Sequence, residues 1–344
     1  MPCALPSPPA SPETRIVPAT DVADVLNVCR PLRALLVLLA LVGGNCLAAN
    51  PPPKEKDHKV LRQEAISALI LHATPDTLAT AAALSYKLPT SPSALELSVS
   101  AAEAAPQDAP IAWLHLRLCV EALSCDFRDA ATVLRWVDAD NGASWLPILD
   151  TAVKDHDVTE IDRVIEEISL APHFDLYWNR LVVRITDTLK QQHANLPKGF
   201  AVSEAERFDL VSGIVSELVP GFSSLLDACR SSLPGSERRE RCLKLSLTMQ
   251  KSDTVAAQIA GFGVERRLLN PESKEARALA ERRRLLEWRV ATAAQFDAPV
   301  LPWLMNARAR TRLDKMHGLP REEDVCIAIL REHKIGTEPL ESHR

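Results

Sequence analysis

The sequence predicts an all-α protein in which helix hairpins stack as an α-solenoid and are followed by a further helical region. The composition favours helix over sheet, because only 4% of the residues are aromatic and only 11 of the 344 are glycine. Apolar residues also recur at steps of three and four along most of the chain. Finally, Trp113, Trp145 and Trp178 recur at a spacing of about 33 residues, typical of a repeat made of two helices.

The overall composition is that of a folded protein with a substantial core. Apolar residues make up 47% of the chain and charged residues 25%, which is enough for one large domain or two ordinary ones. The formal net charge of -5 gives no electrostatic reason to expect a nucleic acid or an anionic membrane as a partner.

Residues 1–49 have the layout of an N-terminal extension that ends in a signal peptide. Arg30 and Arg33 precede the apolar run 34–42, and small residues follow at Ala48 and Ala49. The apolar run is shorter than the roughly 20 residues that a membrane-spanning helix needs. We therefore expect cleavage after Ala48 or Ala49 and a periplasmic or secreted mature protein.

The mature chain is predicted to begin with a Pro-rich spacer, residues 50–58. A lipoprotein alternative arises from Cys46, which lies just after the apolar run, where an acylated cysteine would stand. Asn45 precedes it, and lipidation normally requires a small residue there. Cleavage without lipidation is the favoured interpretation, so a membrane is expected as a partner only if Cys46 carries a lipid.

Five cysteines remain after cleavage, and in an oxidising compartment neighbouring cysteines are expected to pair. Cys119 with Cys125, and Cys229 with Cys242, each flank a predicted turn between two helices. These two pairs are the predicted disulfides. Cys326 is left over and is predicted to be a small apolar core residue.

The predicted repeat occupies residues 59–192. One period before Trp113 lies Ala81, so Ala81, Trp113, Trp145 and Trp178 mark four phased helix starts. Asp157 with Glu160, and Ser91 followed by proline, are predicted N-terminal caps. The first helices are predicted to include 76–88 and 176–192, and the second helices to span 94–105, 126–137 and 159–169. Because one hairpin cannot bury both of its apolar faces, the tryptophans are expected to fill the core between stacked units.

Roughly residues 75–192 resemble the tetratricopeptide repeat family. The three tryptophans stand at the family's aromatic position, and Pro106 and Pro172 stand near its terminal proline. Arg117 and Leu149 occupy a place where the family prefers a small residue, so the resemblance is to a divergent or Sel1-like variant. It implies a groove that receives a peptide or protein partner.

A second helical region is predicted at 203–334, followed by a disordered tail at 335–344. The capping signals are a capping box at Ser203 and the pair Asn270-Pro271. Arginines 282–284 are interspersed with glutamates on the same predicted helix, which favours a solvated face over a nucleic-acid patch. The predicted helices are 203–218, 222–231, 238–250, 253–269, 272–295, 302–316 and 322–332.

No catalytic, cofactor-binding or metal-binding residue is predicted, because none of the nucleophile, glycine-loop or histidine signatures is present. Asp138, Asp140 and Asn141 resemble the opening of a calcium loop, but Leu149 stands where that loop needs a bidentate glutamate. Asn141 and Gly142 are instead predicted to form a turn between two repeat units.

The sequence thus predicts a non-catalytic interaction scaffold of the periplasm that binds a protein or peptide partner in the cell envelope. Two alternatives stay open. One is an immunity or inhibitor protein directed against a secreted toxin, and the other is a cell-envelope enzyme with an unrecognised site.

Overall fold

A computed structural model describes residues 58–122, 124–230, 235–297 and 302–339, and these residues are helical with no β-strand among them. The predicted all-α class is confirmed for this part of the chain. The predicted leader with Cys46, the spacer before His58, and residues 340–344 lie outside the described residues. The α-helices are α1 (His58–Ile70), α2 (Pro75–Ser85), α3 (Ala94–Ala104), α4 (Ala109–Glu121), α5 (Phe127–Val137), α6 (Leu146–Lys154), α7 (Val158–Leu170), α8 (Trp178–Gln191), α9 (Glu204–Glu217), α10 (Ser223–Arg230), α11 (Glu237–Met249), α12 (Val255–Leu268), α13 (Lys274–Asp297), α14 (Pro302–Gly318) and α15 (Glu322–Glu332).

Side-chain caps set several helix starts. Asp157 caps α7 by accepting a hydrogen bond from the backbone of Glu160, as the sequence predicts. Ser203 and Glu206 form a complete capping box at α9. At α3 the cap is Ser93, which accepts from the backbone of Glu96, and not the predicted Ser91. These bonds satisfy backbone N–H groups that have no partner inside the helix.

Up to α7, the helices of the first half pack on their neighbours in the sequence, and α8 departs from this arrangement. Helix α2 packs on α3, α4 on α5, and α6 on α7, while α3 also packs on α4. Helix α8 packs mainly against α9, α2 and α14. Its Arg184 reaches back to the start of α4, where two guanidinium nitrogens bind the two carboxylate oxygens of Asp108, each at 2.6 Å.

One apolar core runs through both predicted segments, 59–192 and 203–334. It extends from Leu61 in α1 to Leu330 in α15, and a smaller cluster joins α12 to α13. Arg117 also crosses between the segments, because its Nε donates to the carbonyl of Leu218 at 2.7 Å from a site that is only 6% exposed. The arginine that departs from the repeat pattern therefore satisfies the C-terminal end of α9.

Several helix boundaries differ from the sequence prediction. Helix α1 begins at His58, the last residue of the predicted spacer, and α8 begins at Trp178 and not at Leu176. Trp145 ends a 3₁₀ turn, Gly142–Trp145, immediately before α6. Trp113 is the fifth residue of α4, so the three tryptophans stand at different helical positions. Within the described residues, no helix has both the length and the apolar character needed to cross a bilayer.

Candidate functional site

Helix α5 leaves two large apolar side chains exposed on one face. The helix buries Ala130, Ala131 and Leu134 against α4 and the neighbouring 3₁₀ turn. Trp136 and Val133 lie outside this buried stripe, one helical turn apart, and are 68% and 41% exposed. A tryptophan this exposed, beside a second exposed apolar residue on a regular helix, presents a large apolar area to solvent.

Charges of both signs surround this face, which we call the Trp136 face and define as Arg128, Asp129, Thr132, Val133 and Trp136. All five side chains are exposed. The hydroxyl of Thr132 accepts a hydrogen bond from Nη2 of Arg135 at 2.8 Å. The five residues include one cation, Arg128, and one anion, Asp129, in contrast to the single-sign surfaces that bind nucleic acid or anionic lipid.

Arg135 anchors this end of α5 to the next element. Its guanidinium carbon lies 4.2 Å from the ring centroid of Trp145, and that of Arg163 lies at 5.0 Å. Arg163 also binds both carboxylate oxygens of Glu160, each at 2.7 Å. Burial, and then the charge of Arg163, lower the pKa of Arg135. Trp145 is therefore a half-buried platform for arginines and not the fully buried core residue that the repeat predicts.

The other predicted repeat positions are in the core. Ala81 is fully buried in α2, and Trp113 and Trp178 are buried as well. Trp113 and Trp178 line one small cavity together with Arg117, Leu176 and Leu218. Its volume of about 10 Å³ is at the lower limit for a single water molecule, so it cannot hold a metabolite.

Both predicted cysteine pairs lie at disulfide distance. The sulfurs of Cys119 and Cys125 are 1.95 Å apart, and those of Cys229 and Cys242 are 2.05 Å apart. The first closes the turn between α4 and α5, and the second joins α10 to α11. Cys326 lies outside both disulfides and is buried in α15, as expected for a core residue.

A buried polar network around Tyr177 escaped the sequence prediction. Tyr177 has a left-handed backbone (φ 55°), and its hydroxyl donates to Asp138 Oδ2. The same oxygen lies 3.1 Å from Nε2 of His173, and Asn141 Nδ2 donates to the Tyr177 hydroxyl at 2.9 Å. Asn141 also binds the backbone of Asp175 through both ends of its amide. The residues that resemble a calcium loop therefore hold the α7–α8 loop in place.

Two carboxyl groups from separate loops interact electrostatically beside this network. Asp175 belongs to the α7–α8 loop, and Asp253 to the α11–α12 loop. Burial, and then the charge of Asp175, raise the pKa of Asp253 to about 7. Burial also raises the pKa of Asp175. Paired carboxylates can serve as acid and base, but Asp253 is only 6% exposed and neither residue lines the cavity beside Trp113.

Among residues 58–122, 124–230, 235–297 and 302–339, no group of three His, Cys, Asp or Glu side chains is arranged to hold a metal ion. Comparison with protein-family models, with curated proteins and with solved structures finds no match to this chain. The geometry of the chain itself therefore carries the functional interpretation.

Proposed function

We propose that the protein is an exported, non-catalytic helical scaffold that binds another protein of the cell envelope through the Trp136 face. The exposed pair of Trp136 and Val133 carries this proposal. Exposed tryptophans are enriched among the residues that dominate protein interfaces, because they bury a large area at a low cost in side-chain entropy. Leu134 is buried away from this face, and Arg135 contacts it through the hydroxyl of Thr132.

The mixed charge of the Trp136 face favours a protein over a lipid surface. Arg128 and Asp129 are adjacent, exposed and opposite in sign. An interfacial membrane helix instead combines a broad apolar face with a surplus of lysine and arginine. A central aromatic residue with a polar rim of both signs matches the composition of protein interfaces.

Helix spacing supports a repeat architecture of the tetratricopeptide kind as part of this proposal. Helices α2 and α4 begin at Pro75 and Ala109, and the next first-helix position begins at the 3₁₀ turn of Gly142. The second helices α3, α5 and α7 follow with a similar period. We propose three stacked hairpins, with α8 leaving the stack because it packs on α2 and α9.

The two disulfides support export, because such bonds persist in oxidising compartments. The full-length chain is expected to accumulate outside the cytoplasm, shortened after Ala48 or Ala49, with Cys326 as its one alkylatable thiol after unfolding. A chain that begins at Asn50 is the matched control and is expected to stay reduced in the cytoplasm. Intact-mass measurement after thiol alkylation reports both the cleavage of the N-terminus and the number of reduced cysteines. A full-length chain that keeps its N-terminus and its reduced cysteines would contradict export.

Site-specific photo-crosslinking tests the Trp136 face. Benzoylphenylalanine at position 136 keeps an exposed aromatic group there, and the same group at Leu247, which is 48% exposed on α11, is the matched control. We expect one discrete crosslinked protein from position 136, none from 247, and loss of the product when Val133 becomes aspartate. Identical products from both positions, or none from 136, would exclude this surface. A secreted toxin as the crosslinked protein would favour the inhibitor class.

Once the partner is identified, Trp136→Ala is expected to weaken its binding by about thirtyfold or more, the size of an interface hot spot. The free energy of unfolding should change by less than about 0.5 kcal/mol, because the side chain is exposed. Titration calorimetry and denaturant unfolding of the same variant separate these two effects.

A further inference from the structure

Three loops that are distant in sequence meet at one buried acidic junction. They are the α7–α8 loop with Asp175, the α11–α12 loop with Asp253, and the turn between α14 and α15 that leads into Glu322. Leu176 N donates to Asp253 Oδ1 at 2.8 Å, and Glu322 N donates to the carbonyl of Asp253 at 2.7 Å. Asp253 therefore links the other two loops to its own.

The contact between Asp175 and Asp253 is reciprocal. The carboxylate of Asp253 accepts hydrogen bonds from the backbone N–H of Leu176 at 2.8 Å and from the hydroxyl of Ser252 at 3.3 Å. Burial raises the pKa of both carboxyl groups, whereas the backbone of Tyr177 lowers that of Asp253 and the backbone of Asp253 lowers that of Asp175. Each loop thus acts on the carboxyl group of the other. Two negative charges at such a site repel each other when both are ionised.

The remaining charged groups around the pair are on several elements. Asp175 interacts with His173 and with the cationic Arg180 of α8, and also with the carboxylate of Asp138. The charged neighbour of Asp253 is Asp175 itself. Cations therefore approach the pair from the Asp175 side, whereas Asp253 is held by neutral donors. A proton on Asp253 would remove the repulsion without breaking the bonds that its Oδ1 accepts.

Glu322 adds a third, half-buried carboxyl group to the junction. Its Oε2 accepts from the backbone N–H of Val255 at 2.9 Å, at the start of α12, and Arg312 of α14 is the cation nearby. Asn179 of α8 donates to the carbonyls of Leu319 and Pro320 in the same turn. A displacement of the α11–α12 loop would therefore disturb the α14–α15 turn as well.

We propose that the reciprocal contact between Asp175 and Asp253 is a pH-sensitive latch, which holds the three loops together while the pair retains a proton and loosens when both carboxyl groups ionise. The latch joins the first and second halves of the chain at a site separate from the Trp136 face. It therefore stands independently of the proposed partner.

The raised pKa of Asp253 decides whether stability rises or falls with pH. The pKa of Asp253 is raised from an unfolded value of about 3.9 to about 7, so the folded state binds this proton more tightly. The contribution of this group to folding is greatest below about pH 4 and is lost as the pH rises towards and beyond about 7. From pH 5.5 to pH 8.5, the folding equilibrium is expected to become about thirtyfold less favourable through this group.

Asp253→Asn tests the latch, because an amide keeps the Oδ1 acceptor and removes the charge. Denaturant unfolding at pH 5.5 and 8.5, with both disulfides intact, should show that the variant gains stability relative to the natural protein as the pH rises. Asp227→Asn on α10 is the control, since Asp227 is exposed beside Arg230 and should leave the pH profile unchanged. If Asp253→Asn follows the natural pH profile, or is the less stable protein at pH 8.5, the latch is wrong.

Two further measurements cover the case in which Asp253→Asn fails to fold. Asp175→Asn removes the same repulsion from the opposite loop and should flatten the pH profile in the same way. In the unmodified protein, amide exchange in residues 250–255, corrected for the intrinsic pH dependence, should be about tenfold faster at pH 8.5 than at 5.5. Equal corrected rates at the two pH values would overturn the proposal.

Discussion

Gly261→Ala is expected to destabilise the protein by about 2 kcal/mol, although alanine is the better helix former. A Cβ atom at this position of α12 would lie 2.8 Å from the carbonyl oxygen of Ser246 and 2.8 Å from Cβ of Met249. The first of these neighbours is backbone at the end of α11, so a side-chain rotation cannot relieve the contact. Helices α11 and α12 would have to move apart, with loss of packing along their whole interface.

Gly213 offers the matched control for this prediction. It lies inside α9, is exposed, and would have no atom within 4 Å of an added Cβ. Gly213→Ala should therefore stabilise the protein by up to about 1 kcal/mol through helix propensity alone. Thermal and denaturant unfolding of the two variants should give changes of opposite sign. A stabilised Gly261→Ala variant would show that the close approach of α11 and α12 is not required.

Local signals explain why most helices could be predicted from the sequence. Asp157 and Ser203 cap helices whose starts depend only on residues within one turn, and the structure has both caps at the predicted residues. The cysteine pairs could be predicted for the same reason, because the partners are six and thirteen residues apart. Such features need no knowledge of the tertiary fold.

The start of α8 could not be predicted, because tertiary bonds override the local pattern there. The apolar spacing extends a helix back to Leu176, but its backbone N–H is bound by Asp253, 77 residues further along the chain. Tyr177 is forced into a left-handed conformation that bulky residues rarely adopt. The sequence therefore predicts a helix that begins two residues before Trp178, whereas Trp178 is the first helical residue in the structure.

The exposure of the Trp136 face could be predicted only in part from the sequence. Trp136 lies two residues beyond Leu134, off the stripe that continues from Ala130 and Ala131. That offset is a usable signal for exposure, whereas the periodic spacing of the tryptophans indicates only positions 113, 145 and 178. The pairing of Arg135 with Trp145 depends on where α5 and the following turn meet, and no local pattern indicates it.

Asn141→Ala is expected to cost about 3 to 4 kcal/mol, the largest effect of a single polar side chain that we anticipate. Asn141 is fully buried and makes four side-chain hydrogen bonds of 2.9 to 3.0 Å. They reach the N–H and the carbonyl of Asp175, the hydroxyl of Tyr177 and the N–H of Ala143. Each bond contributes about 1 kcal/mol net, and the backbone groups of Asp175 would lose a partner in a place that water does not readily reach.

The expected loss corresponds to a fall in Tm of about 6 to 12 °C, measured by circular dichroism with the disulfides intact. Asn195→Ala is the control, because Asn195 is exposed, binds only its neighbour Gln192 and should change the stability by less than about 0.5 kcal/mol.

Asn141→Asp separates the effect of side-chain shape from that of hydrogen bonding. It keeps the size of the side chain but directs an acceptor at the carbonyl of Asp175 and adds a negative charge near Asp138. It should therefore be at least as harmful as alanine at neutral pH, whereas an aspartate variant as stable as the natural protein would show that Asn141 acts through its volume alone.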